Sequence, residues 1–143
     1  MRFLSIVPLL LLLGCSDDKE YSSQTLSLAL GEHNGRLHVV DYQVRNNAFV
    51  KSQQQGRYQA HIFDDNGNLL QKINFERIEL SSANNANPEI DFYVAMPLLE
   101  QANWIEIYML DGSSGHYQLK TDNPLLKWQL PKGIALESQS VKE

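Results

Sequence analysis

The sequence has one cysteine, Cys15, among its 143 residues. No intramolecular disulfide is possible, so whatever folds must stand on a hydrophobic core. A lone thiol also excludes the multi-cysteine zinc sites. The four histidines (His33, His38, His61 and His116) show neither His-x-His nor His-Glu-x-x-His spacing, so no metal site is expected. Basic residues are scarce: 12 Lys and Arg against 17 Asp and Glu leave a net charge of −5, with no Lys/Arg cluster anywhere. A phosphate backbone would meet net repulsion, which excludes nucleic acid as a partner. No phosphate-cradling glycine loop is present, and Gly112-Ser113-Ser114-Gly115 lacks the Gly-x-Ser-x-Gly spacing of a nucleophile elbow. No catalytic set and no cofactor are implied.

What is present starts at the N-terminus. Arg2 precedes an apolar run from Phe3 to Leu13, closed by Gly14 and Cys15. The run is about 11 residues, inside the roughly 7–15 of a secretory signal and short of the ~20 that span a bilayer. Pro8 also argues against a permanent membrane helix. Leu12-Leu13-Gly14-Cys15 resembles the lipobox of bacterial lipoproteins. That resemblance implies a signal peptide over residues 1–14, cleavage after Gly14, and lipid on the thiol and new amino group of Cys15. Each buried methylene contributes roughly 0.8 kcal/mol, so two or more chains hold where one does not. Ser16 stands where an aspartate would retain an enteric lipoprotein at the inner membrane, which implies an outer-membrane destination. A lipidated Cys15 is no longer available as a nucleophile.

Residues 15–24 are polar and aperiodic after the cysteine and read as a tether. Nine such residues reach roughly 30 Å, enough to clear the lipid headgroups. From Thr25 the dominant period is two, the mark of half-buried strands. Leu26, Leu28 and Leu30 alternate, and residues 31–35 read as a turn. The apolar phase changes at Val39-Val40, which predicts a bulge or a sheet crossing. Residues 45–56 and 81–88 read as loops. Tyr58, Ala60 and Ile62 alternate, then Ile90, Phe92, Val94 and Met96, then Ile105, Ile107 and Met109. Residues 98–103 read as a helical turn, 125–130 as a last strand, and 133–143 as a frayed tail.

About seven or eight short strands with no long amphipathic helix predict an all-β fold, an antiparallel β-sandwich over residues 25–132. The span 41–75, with Ile62-Phe63-Asp64-Asp65-Asn66-Gly67 at its centre, is similar to the small immunoglobulin-like domains of bacterial envelope proteins. A transthyretin-like sandwich accounts for the same alternation.

The acidic loop at Asp64 invites a calcium reading, but the glycine falls at position four and Phe75 at twelve, against six and twelve in an EF-hand. A hairpin turn is the better fit, because Asn-Gly supplies positive φ. His38 and His61 lie out of phase with the apolar residues of their strands and are expected to face solvent. If Phe92 and Ile105 point inward, then Asp91, Tyr93, Trp104, Glu106 and Tyr108 point outward. Were those two strands neighbours, Tyr93, Trp104 and Tyr108 would form an aromatic stripe beside an acid pair. An open sheet face has no water-excluding cleft for two catalytic carboxylates. The stripe is instead the candidate binding face. The expectation is an outer-membrane lipoprotein acting as a non-catalytic adaptor for an envelope protein partner. A glycan- or peptidoglycan-binding module is the alternative, and an enzyme is disfavoured.

Overall fold

The computed structural model describes residues 22–50, 56–78, 80, 87–112 and 118–134. The expected signal peptide, Cys15, the tether to Tyr21, parts of the two long loops, His116 and the tail beyond Ile134 lie outside the described residues. The rest is an antiparallel β-sandwich. Its strands are β1 (Thr25–His33), β2 (Arg36–Arg45), β3 (Tyr58–Phe63), β4 (Leu69–Phe75), β5 (Phe92–Pro97), β6 (Trp104–Asp111), β7 (Gln118–Leu119) and β8 (Leu126–Gln129). One sheet runs β2-β1-β5. The other runs β4-β3-β6, with β7 and β8 both pairing with β6.

The period of two in the sequence becomes the core directly. Leu26, Leu28 and Leu30 of β1 and Phe92, Val94 and Met96 of β5 point into the sandwich. Ala60 and Ile62 of β3 and Ile105 and Ile107 of β6 meet them from the other sheet. Each large aliphatic or aromatic side chain so buried stabilises the fold by roughly 1.5–3 kcal/mol. Along one side the sheets are joined by a hydrogen bond from the Leu37 amide to the Leu125 carbonyl (3.0 Å) and by Tyr42 against Trp128. Elsewhere Tyr58 bridges them, in contact with both Phe75 and Phe92.

The phase change at Val39-Val40 is a bulge. Ala29 pairs with Asp41 and Leu30 with Val39, so Val40 is left over. The turn expected at residues 31–35 is tighter than that: β1 continues to His33, and only Asn34 (φ 52°) and Gly35 (φ 73°) reverse the chain. Gly31 serves a different purpose, inside the strand. A Cβ there would lie 2.5 Å from the Glu89 carbonyl oxygen and 2.6 Å from the His38 ring.

Residues 98–103 hold one hydrogen-bonded turn, from Ala102 N–H to Leu99 C=O at 3.1 Å, and no helix. They are an arch between the sheets, with Leu98 N–H bonded to Gln24 C=O at one end and Asn103 N–H to Phe63 C=O at the other. Leu98 and Leu99, 4% and 6% exposed, fill the space the arch spans. Ile134 lies past the expected domain end at residue 132, yet it belongs to the core. Gly133, at φ 78°, turns the chain back and leaves Ile134 5% exposed.

Candidate functional site

The arch decides the fate of the expected aromatic stripe. β5 pairs with β1 and β6 pairs with β3, so the two strands lie in different sheets. Tyr93 therefore sits on the outer face of the three-stranded sheet, and Trp104 and Tyr108 on the outer face of the five-stranded one. Asp91 and Glu106 are parted in the same way. Asp91 uses its carboxylate to accept the Glu32 N–H at 2.7 Å. The sequence pattern placed each side chain outward, but which strands are neighbours is not a local property.

Tyr93 is 53% exposed and stands among small residues. Ala29 is its partner on β1, and Ala95, two residues on along the same face of β5, pairs with Ser27. Trp104 and Tyr108 are different. Trp104 is flanked by Phe63 from β3, with near-parallel rings 5.2 Å apart, and by the Lys127 ammonium from β8, 5.4 Å from the ring centre. Phe63 and Lys127 both lie against the indole, which leaves little of Trp104 on which a sugar ring could stack. The indole Nε1 is buried without a hydrogen-bond partner. Tyr108, 8% exposed, donates its hydroxyl to Glu106 Oε2 at 2.6 Å. Burial foremost, then the bond to Glu106, pushes the phenol up to about 12.

A histidine completes this face. His61 was expected in solvent; it does point away from the core, but it is only 7% exposed. Its ring packs 4.7 Å from Tyr108 and 6.1 Å from Phe63, and its Nε2 lies 2.6 Å from Gln59 Oε1. Lys72 on β4 and Glu106 on β6 are its partners across the strands. Burial and then the Lys72 charge hold its pKa below the usual histidine range, against the opposing pull of Glu106. Glu106 also faces Lys127, with 3.8 Å between Oε1 and Nζ. The result is a cross-strand row, Lys72, His61, Glu106 and Lys127, over four neighbouring strands. The only sequence hint of it is that Gln59, His61 and Phe63 share one phase.

The acidic loop is a hairpin tip. The Asp64 carboxylate accepts the backbone N–H groups of Asn66 (2.9 Å) and Asn68 (2.8 Å) and the Asn68 side-chain amide (2.9 Å). The bond from the Asn68 side chain leads in holding that carboxyl below its ordinary range. Gly67 carries the positive φ, at 84°. Among the described residues no group of three or more His, Cys, Asp or Glu is arranged to hold a metal ion. Compared with known proteins, the chain matches no family model, no curated protein and no solved structure.

Proposed function

We propose that this chain is an outer-membrane lipoprotein whose β-sandwich is a non-catalytic adaptor for another envelope protein. The observation that carries the proposal is Leu12-Leu13-Gly14-Cys15 at the end of a charged-then-apolar leader. In this reading Cys15 holds the lipid, residues 16–24 give reach, and the sandwich presents one outer face to its partner. Tyr93 is the contact residue of choice. It is the one aromatic of the expected stripe whose ring is largely in solvent, and tyrosine set among small neighbours is a common interface anchor.

Two experiments test the two halves. Cys15→Ser should abolish processing and membrane association; unchanged fractionation would refute the anchor. A photo-crosslinking amino acid at Tyr93 of the full-length protein, irradiated in living cells, should give one dominant protein adduct that is lost when Ala95 is changed to Arg. No protein adduct from an abundant membrane-bound chain would refute that face, and saturable binding to isolated peptidoglycan would move the proposal to glycan recognition.

A further inference from the structure

We propose that Lys127 is an acid-released cover over Trp104, held in place by Glu106 and released when His61 takes up a proton. The geometry supplies each part. The amide oxygen of Gln59 can only accept, so His61 Nε2 carries the hydrogen of that 2.6 Å contact and Nδ1 is the site left for a second proton. The charged and titratable groups that face the ring come from three strands: Lys72 of β4, Glu106 and Tyr108 of β6, and Lys127 of β8 beyond Glu106. Asp122, in the loop before β8, adds its charge on the Tyr108 side.

At neutral pH the histidine is uncharged and Glu106 has two commitments. Oε2 takes the Tyr108 hydroxyl at 2.6 Å, and Oε1 attracts the Lys127 ammonium at 3.8 Å. The second is the weaker, because 3.8 Å is beyond hydrogen-bond length and the Lys127 side chain is 65% exposed. An imidazolium directly across the strand then competes for the same carboxylate and repels the ammonium. Glu106 is 14% exposed and has little freedom to serve both. Lys127 can swing into water at small cost, and the tyrosine bond stays. What remains is an indole stacked on Phe63 and relieved of its ammonium, with Gln129 as its cross-strand partner on β8 and Leu69, itself 44% exposed, paired with Phe63. Acid thus converts a cation-capped surface into an apolar aromatic strip at the hairpin end of the sheet.

The test uses the full-length protein with Trp128→Phe, which leaves Trp104 as the sole tryptophan of the two in the chain. Acrylamide quenching of its fluorescence is measured from about pH 7.5 to about pH 4.5, because His61 takes up its proton below the usual histidine range. The quenching constant should rise about twofold as the ammonium leaves the indole. Lys127→Met in the same background should lose the pH dependence, and so should His61→Gln, which keeps a side chain of similar polarity. In the otherwise unaltered chain, the indole N–H signal of Trp104 by NMR should shift over the same interval, independently of the Trp128 substitution. No rise, a rise that persists in His61→Gln, or a rise accompanied by loss of the far-ultraviolet β signal would each overturn the proposal.

Discussion

Replacing Tyr108 by phenylalanine removes one oxygen atom and should change stability in a pH-dependent way. The phenol is raised from 10.0 to about 12 in the folded protein. For an acid whose folded value lies above its unfolded one, the fold favours the neutral form. That stabilisation is complete below about pH 10 and is lost as pH rises through about 12. Two pH units correspond to roughly 2.7 kcal/mol as a ceiling. Glu106 shares its charge with Lys127 near the surface, so solvent screens part of the effect and about 1–2 kcal/mol is expected. At neutral pH the variant also forfeits a hydrogen bond to a charged acceptor, about 1.5–3 kcal/mol. Urea unfolding of both proteins at intervals from about pH 8 to about pH 12 measures this, with the slope of the transition checked for constancy. Tyr108→Phe should be the less stable protein at the start, and the gap should close across the alkaline interval. The two proteins differ only in this phenol, so the difference between their profiles reports on it alone. A gap that stays constant with pH would refute the buried tyrosine–carboxylate pair.

Three further outcomes follow from the same geometry. Phe92→Ala empties a fully buried site between the sheets and should cost about 3–5 kcal/mol in urea unfolding, because the sandwich closes on both sides of the ring. Gly56→Ala would put a Cβ 1.9 Å from the Phe75 carbonyl, backbone that cannot yield cheaply; a loss of about 2–3 kcal/mol or a failure to fold is expected, read from the thermal midpoint. His61 has its folded pKa depressed by burial and Lys72, so stability should fall as pH drops below about 6.5, where the unfolded chain takes up a proton first. His61→Gln should flatten that acid limb in pH-dependent urea melts.

What could be read from the sequence was what neighbours in the chain decide. Leu26, Leu28 and Leu30 announce a buried strand because alternation is a property of one strand alone, and the Val39-Val40 phase change announces a bulge for the same reason. The Asp64 loop was legible because its hydrogen bonds span four residues. Sheet membership was not legible. Pro97, Leu98 and Leu99 look like the start of a turn that would keep β5 and β6 side by side, and only their burial marks an arch. That misplacement divided Tyr93 from Trp104 and Tyr108. It also hid His61, whose neighbours Tyr108 and Glu106 lie more than forty residues away in the chain.

The place of β1 has a mechanical consequence. Ser22, at the start of the described chain, already bonds the Leu98 carbonyl through its hydroxyl, and Thr25 enters the central strand of its sheet with β2 on one side and β5 on the other. Tension applied from the N-terminal end therefore pulls β1 along its own axis against two antiparallel neighbours. The rungs of both ladders carry that load together, in shear, where a strand peeled from an edge would release them one by one. Resistance to pulling is set by the rate of unfolding under load rather than by equilibrium stability. Load entering at Thr25 is thus met by a strand that is paired on both edges.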